Sequence, residues 1–105
     1  MKIVLRGRGG GKTTELIRIS ARTNSYIVAM SRDEAGRILA QAQAMGLDIP
    51  YPITFDNFLD RQYSSWGIRG FLIDNADVLL QRLSRGVNIV AVSVTDDVDS
   101  GTGGE

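Results

Sequence analysis

The 105-residue chain contains no cysteine and no histidine, and it has only two prolines. Without cysteine it cannot form disulfides, iron–sulfur clusters or thiolate zinc sites, and without histidine it has neither an imidazole base nor a histidine metal ligand. No apolar run approaches the roughly 18 residues that span a membrane, and the N-terminus is too short of apolar residues for a signal peptide. We therefore expect a cytoplasmic protein with no membrane partner.

The remaining composition is that of an ordinary globular domain, with 43% hydrophobic and 23% charged residues. Its net charge is zero, but the two halves differ. The first 50 residues carry eight basic and four acidic side chains, and the last 55 carry the reverse numbers. This asymmetry predicts a basic face built from the first half, with acidic groups supplied by the second.

Short β-branched runs alternate with segments of helical periodicity along the chain. Continuous apolar runs predict buried parallel strands, and the expected strands are 3–5, 26–30, 53–55, 71–73 and 89–94. The clearest helix begins at Ser31 and Glu34, which form a capping-box pattern, and ends at Gly46. Other helices are expected at about 12–22, 56–60 and 78–83.

This alternation predicts an α/β fold: a three-layer α/β/α sandwich with a mostly parallel five-stranded sheet and ligands at the carboxyl ends of the strands. Residues 1–95 would form one domain. Residues 96–105 are acidic and glycine-rich without periodicity, which predicts a flexible tail.

A glycine-rich segment joins the first predicted strand to the first predicted helix. Its glycines permit positive φ angles, so backbone N–H groups can surround a phosphate at the helix N-terminus. Lys12 would add charge at the outer phosphates, and the Thr13 hydroxyl would bind Mg²⁺. The alternative is a glycine-rich turn without a ligand. The predicted nucleotide contacts are Gly7, Arg8, Gly9, Gly10, Gly11, Lys12, Thr13 and Thr14.

A second motif is the apolar segment 70–74, which ends in Asp74. A carboxylate at the end of a buried strand would complete the Mg²⁺ site begun by Thr13. The alternative is that Asp74 caps the following helix.

With these two motifs the chain resembles a P-loop NTPase core over residues 2–95, in particular the first RecA-like domain of superfamily 1 and 2 helicases. It is also similar to small, uncharacterised bacteriophage ATP-binding proteins. Gly11-Lys12-Thr13 matches the end of the P-loop motif, although Arg6 stands where its leading glycine is expected. The segments 26–35 and 53–59 look like helicase segments that touch a single-strand backbone.

The resemblance implies ATP and Mg²⁺ as cofactors, with Lys12 and Asp74 in catalysis, but the chain departs from the helicase pattern. Helicases usually carry a glutamate after the metal-binding aspartate to activate water, and here Asn75 cannot accept a proton. Asp77 is the substitute, or else an ordinary N-terminal helix acid. Ser93 and Thr95 would sense the γ-phosphate, or else be plain strand residues.

The second RecA-like domain of helicases is absent from these 105 residues. An arginine finger would then come from a protein partner or from another copy of the chain. Arg69, Arg82 and Arg85 are candidate donors, each with the alternative of being a solvated surface charge.

The sequence therefore predicts a Mg²⁺-dependent ATP-binding protein with slow or partner-dependent ATP hydrolysis, an accessory factor in phage DNA metabolism. A nucleoside kinase resembling type II thymidine kinase is one alternative, based on the segment 11–17, and a non-catalytic protein-binding adaptor is another. Single-stranded nucleic acid is a further candidate partner. Arg32, Arg37, Tyr51 and Phe55 would bind it, unless the aromatic rings are core and the arginines are solvated.

Overall fold

The computed structural model describes residues 11–85 and 87–93. The elements in chain order are α1 (Lys12–Thr23), β1 (Tyr26–Ala29), α2 (Arg32–Ala44), β2 (Ile53–Thr54), α3 (Phe55–Leu59), β3 (Phe71–Ile73) and α4 (Ala76–Leu83). Within these ranges, no helix is both long enough and apolar enough to cross a membrane.

The sheet has three parallel strands in the order β2-β1-β3, with β1 in the centre. Val28 in β1 is opposite Ile53 of β2 on one side and opposite Ile73 of β3 on the other. All three strands therefore end at the same edge of the sheet, which is where ligands bind in parallel α/β proteins.

The predicted five-stranded, RecA-like three-layer sandwich is wrong, because the described residues form a three-stranded sheet with four helices. An α/β class is compatible with this arrangement. Of the two missing strands, 3–5 lies outside the described residues, and 89–93 is neither strand nor helix. Val90 and Val92 are exposed there. Their β-branched side chains favour a strand only where a neighbouring strand and a packing surface are available.

One face of the sheet is covered by α1 and α2, which also pack against each other. The alternation of a strand places Ile27 and Ala29 of β1 on this face. Helical spacing places Ile17 of α1 and Ile38 of α2 against them, where both are almost fully buried. The buried cluster consists of Leu16, Ile17, Ile27, Ala29, Ala35, Ile38 and Ala42.

The other face carries aromatic side chains. The ring of Phe71 lies 5.0 Å from that of Phe58 and 5.1 Å from that of Tyr63, both edge to face, and it stacks on Tyr26 at 6.0 Å. Edge and offset contacts of this kind are the geometries that aromatic rings prefer. Phe55, the first residue of α3, is fully buried.

The helix boundaries follow local signals. Ser31 caps α2 by accepting a hydrogen bond from the Glu34 N–H at 3.2 Å, and Gly46 adopts the left-handed conformation after the helix, as predicted. Thr54 and Asn57 form a reciprocal capping box at α3. That box begins α3 one residue before the predicted position, and it ends β2 at Thr54 rather than Phe55.

Candidate functional site at the N-terminus of helix α1

The candidate site lies at the carboxyl edge of the sheet, where β3 ends. Asp74 follows β3 directly, and its backbone N–H donates to the carbonyl of Val28 in β1 at 3.0 Å. This bond extends the pairing of the two strands by one residue. It holds Asp74 beside the beginning of α1, where Lys12 is the first helical residue.

Lys12 contacts both residues that follow β3. Its Nζ lies 3.6 Å from Oδ1 of Asp74, and it donates a hydrogen bond to Oδ1 of Asn75. The Lys12 side chain is 35% exposed, so the ammonium group lies at the border between solvent and the buried carboxylate. The structure therefore brings together two residues that are 62 positions apart in the chain and that the sequence assigned to one phosphate and metal site.

Asp74 is a buried carboxylate that lacks a hydrogen-bond donor on one oxygen. Its side chain is 1% exposed, and Oδ1 is buried without a hydrogen bond, since 3.6 Å to Lys12 is an ion-pair distance only. Burial raises the pKa of Asp74 above its ordinary value, and the Lys12 charge opposes this rise. A buried charged oxygen left without a donor is energetically costly, which marks it as a position that a ligand can complete.

The N-terminus of α1 has no side-chain cap. Gly11 occupies the N-cap position in the left-handed conformation, with φ 81°, where a glycine is favoured. A Cβ there would meet no atom within 4 Å, so the requirement is conformational and not steric. The first N–H groups of an α-helix have no partner within the helix, and they attract anions. The predicted contacts Gly7, Arg8, Gly9 and Gly10 lie outside the described residues.

The two threonines after Lys12 have different surroundings. The Thr14 hydroxyl oxygen accepts a hydrogen bond from Nε2 of Gln41 in α2 at 2.8 Å, so Thr14 joins the two helices. Thr13 is half-buried, and within the described ranges its hydroxyl forms no hydrogen bond. Thr13 can therefore offer an oxygen to a ligand, whereas Thr14 is held by α2.

Hard cations such as Mg²⁺ bind oxygen ligands and keep several waters when they are held with phosphates. The Asp74 carboxylate and the Thr13 hydroxyl have the right chemistry for such an ion. In residues 11–85 and 87–93, no group of three or more acidic side chains is placed to hold a metal. The donor set thus fits a cation shared with phosphate and does not form an all-protein metal cage.

Asn75 and Asp77 mark the beginning of α4. Asn75 is its N-cap residue and adopts a left-handed backbone, with φ 57° and ψ 56°. This conformation is uncommon for residues other than glycine, and asparagine is among those that tolerate it. Asp77 is exposed in the first turn of α4. In the described part of the chain no hydrogen bond or ion pair joins Asp77 to Lys12 or Asp74, and its catalytic role stays a prediction.

The charge of Glu34 acts on Asp74, whereas the sequence interpretation treated Glu34 only as part of a helix cap. It lies in the first turn of α2, directly after β1, and its side chain is 22% exposed. It accepts a hydrogen bond from Nη1 of Arg37, one turn further along α2, and its negative charge contributes to the raised pKa of Asp74. The available sequence signal was its position after a buried parallel strand, the same signal that pointed to Asp74.

In the described residues, none of the three candidate finger arginines forms an ion pair or a hydrogen bond with Lys12, Asp74 or Asn75. Arg82 is 3.8 Å from Oδ1 of Asp56 and lies over the Phe55 ring at 5.3 Å. Arg69 lines a groove of about 710 Å³ near the C-terminus of α1, and Arg85 is exposed after α4. Ser93 is exposed and outside any strand, and Thr95 lies outside the described residues.

The predicted nucleic-acid track is only partly assembled. Arg32 and Tyr51 line one groove of about 590 Å³, between the start of α2 and the segment before β2. Phe55 is fully buried and cannot stack on a base, and Arg37 is paired with Glu34. The core alternative is therefore the correct one for Phe55.

Comparison with protein-family models, with curated proteins and with solved structures gives no match for this chain. Arguments about its function therefore depend on the geometry of the site and on the motifs in the sequence.

Proposed function

We propose that the chain is a Mg²⁺-dependent protein that binds a nucleoside triphosphate such as ATP, with its phosphates at the N-terminus of α1. The observation that carries this proposal is the meeting of Lys12 with the buried, donor-deficient Asp74 at the carboxyl end of β3. A cation and a carboxylate at an uncapped helix N-terminus form a binding arrangement for a phosphate together with a divalent metal. The P-loop resemblance of the segment 7–14 agrees with it.

In this proposal Thr13 and Asp74 would hold Mg²⁺, which would supply positive charge to the phosphates. Lys12 exchanges its present partners for phosphate oxygens. Its ammonium group already lies at the mouth of the site, and its bond to Asn75 is with a neutral amide. Charge-assisted hydrogen bonds to phosphate are roughly twice as strong as neutral ones, so this exchange favours the bound state.

Hydrolysis in this proposal is slow or depends on a partner. Asn75 cannot accept a proton, and none of the candidate finger arginines forms an ion pair with Asp74 in the described residues. In nucleoside triphosphatases, an arginine finger supplied by a partner typically raises the rate of hydrolysis by about 10³–10⁵-fold. Exposed apolar side chains on α4 and after it support a protein partner or a second copy of the chain, and these are Leu80, Leu83, Val87, Val90 and Val92.

The experiment is a thermal-shift titration with ATP, ADP and GTP, each with and without Mg²⁺. We expect ATP with Mg²⁺ to raise the melting temperature of the wild type, by an amount that grows with ligand concentration. Lys12→Ala should lose most of this shift. Arg18→Ala is the matched control, because it removes an exposed positive charge from the same helix, away from its N-terminus.

Three results would distinguish the outcomes. A wild type without a shift for any nucleotide contradicts the proposal. An equal loss in Lys12→Ala and Arg18→Ala would mean that the nucleotide responds to net charge and not to this site. A shift with ATP that does not depend on Mg²⁺ would contradict the metal part alone.

A further inference from the structure

The ammonium group of Lys12 already has partners in this structure. Its Nζ donates a hydrogen bond to Oδ1 of Asn75 and lies 3.6 Å from Oδ1 of Asp74. A hydrogen bond from an ammonium group to a neutral acceptor is charge-assisted, and it is stronger than a bond between two neutral groups. The contact with Asn75 therefore competes with any phosphate that requires the same ammonium group.

The side chain of Asn75 serves Lys12 and not the helix that Asn75 begins. An N-cap asparagine normally has an extended backbone and accepts a hydrogen bond from an N–H of the first helical turn. Asn75 instead has φ 57° and ψ 56°, and among the described residues its side chain forms no such bond with α4. Its amide oxygen accepts from Lys12, which lies 63 positions earlier in the chain. Left-handed residues other than glycine are uncommon, and they are concentrated at functional sites.

The backbone around Asn75 is held on both sides. The N–H of Asp74 donates to the carbonyl of Val28 at 3.0 Å, and the carbonyl of Asn75 accepts from the N–H of Val78 at 2.9 Å. Asn75 is half-buried, whereas Lys12 has a flexible four-carbon stem and is 35% exposed. The acceptor is therefore fixed, and Lys12 is the partner that moves when the contact breaks.

We propose that the hydrogen bond from Lys12 to Asn75 is an autoinhibitory contact, which holds the lysine away from the phosphate position and lowers the affinity of the site for a nucleoside triphosphate. This inference rests on the proposed function. Binding of the triphosphate breaks the bond to Asn75, and the ammonium group then donates to phosphate oxygens. Charged outer phosphates outcompete the neutral amide, whereas a nucleoside without phosphates does not. Asn75 thus regulates the occupancy of the site and has no part in the chemistry.

The first experiment measures the affinity for a non-hydrolysable ATP analogue with Mg²⁺ by isothermal titration calorimetry. Asn75→Gly removes the acceptor and keeps a backbone conformation that glycine adopts readily. We expect this variant to bind the analogue about 2–10-fold tighter than the wild type, the equivalent of one hydrogen bond. Asn75→Asp also tolerates the left-handed backbone, but it adds a negative charge beside Lys12 and the phosphates. It should bind the analogue about 10-fold weaker.

Asn24 offers a matched control. It adopts nearly the same backbone conformation, with φ 53° and ψ 52°, but at the opposite end of α1 from Lys12. Its side-chain amide donates to the carbonyl of Gly67 at 2.7 Å. Asn24→Gly should therefore leave the affinity for the analogue unchanged, even where it changes the stability of the fold.

A second experiment tests the contact without any nucleotide. The chain has only two lysines, Lys2 and Lys12, so mass spectrometry can follow the acetylation of each by acetic anhydride. A hydrogen-bonded ammonium group must leave its partner before its amine reacts. Relative to Lys2, we expect Lys12 to react about 2–10-fold faster in Asn75→Gly than in the wild type, and slower in Asn75→Asp.

The outcomes separate this inference from the proposed function. If the wild type binds no nucleotide, the proposed function fails, and the regulatory role of Asn75 fails with it. If the wild type binds the analogue but Asn75→Gly binds it no tighter, or labels Lys12 at the wild-type rate, the autoinhibitory contact alone is contradicted. Weaker binding in both Asn75→Gly and Asn75→Asp would show that Asn75 supports the bound site, which also overturns the inference. If Asn75→Gly does not fold, Asn75→Ser decides, because it also removes the amide, and an unchanged affinity overturns the inference.

Discussion

Asp74 lowers the stability of the ligand-free fold because of where its carboxylate lies. Its carboxylate is buried beneath Lys12, with Oδ1 lacking a hydrogen-bond donor. Natural proteins retain buried groups of this kind at binding sites, although such groups lower the stability of the fold. The charges facing Asp74 are Lys12 from α1, which favours the ionised form, and Glu34 from α2, which opposes it.

Asp74→Asn should stabilise the ligand-free protein at neutral pH. Because the pKa of Asp74 is raised in the folded state, the unfolded chain ionises first as pH rises, so stability falls across that interval and stays lower above it. Replacing the carboxylate by a neutral amide removes this penalty. We expect a gain on the order of 1 kcal/mol, or about 4–8 °C in melting temperature, measured by thermal denaturation at pH 7.

The difference between Asp74→Asn and the wild type should disappear at a pH below the ordinary pKa of an aspartate, because both states then carry a protonated carboxyl. Asp48→Asn is the control, since Asp48 is exposed in the loop after α2. A lower melting temperature for Asp74→Asn at pH 7 would show that the ion pair with Lys12 outweighs the burial of Asp74. The same variant should lose the Mg²⁺-dependent part of the ATP shift.

At the scale of single elements, α2 links stability to the site. Its N-cap Ser31 satisfies one of the free N–H groups at the helix start, and the bonded N–H belongs to Glu34. The cap therefore does two things at once. It begins the helix after β1, and it fixes the backbone of Glu34, the residue whose charge acts on Asp74.

Ser31→Ala should destabilise the protein by about 1 kcal/mol, the typical cost of removing a serine cap. The loss should appear as a lower urea midpoint with an unchanged slope. Ser65→Ala is the matched control, because Ser65 lies in an exposed loop where its hydroxyl forms no hydrogen bond within the described residues. Equal stability of the two variants would mean that the Ser31 cap does not contribute.

At the scale of the whole molecule, the main buried cluster of the described residues lies on one face of the sheet. The buried cluster lies between β1 and the helix pair α1 and α2, whereas α4 has no buried residue. The apolar face of α4 remains exposed at Leu80 and Leu83. Among the described residues we therefore expect α4 to add less to stability than α1 and α2 do, and its exposed Leu80 and Leu83 are available to a partner.

Ile38→Ala should cost about 2–5 kcal/mol, because it removes a fully enclosed side chain and leaves a cavity between α2 and the sheet. Leu83→Ala, a similar truncation at a side chain that is 53% exposed, should change stability by less than about 0.5 kcal/mol. Urea denaturation of both variants measures the contrast. A comparable loss in Leu83→Ala would show that α4 is packed in solution, against this chain or another copy.

Sequence reasoning predicted the helices well because their signals are local. The cap at Ser31, the glycine after α2 and the helical spacing of Ile17 or Ile38 all act within a few residues. It also paired Lys12 with Asp74, since parallel strands bring their carboxyl ends to one edge. It failed on the size of the sheet, because strand 89–94 required a neighbouring strand that no local pattern reveals.

The amino-acid order alone thus determined where most elements begin and end, and which residue types meet at the α1 N-terminus. The tertiary structure decided the rest: the burial of Asp74, the contact of Lys12 with Asn75, and the effect of the Glu34 charge on the pKa of Asp74. The physical reason is how far apart in the chain the interacting residues lie. Capping and periodicity are energies between residues close in the chain, whereas desolvation and charge interactions depend on which distant elements pack together.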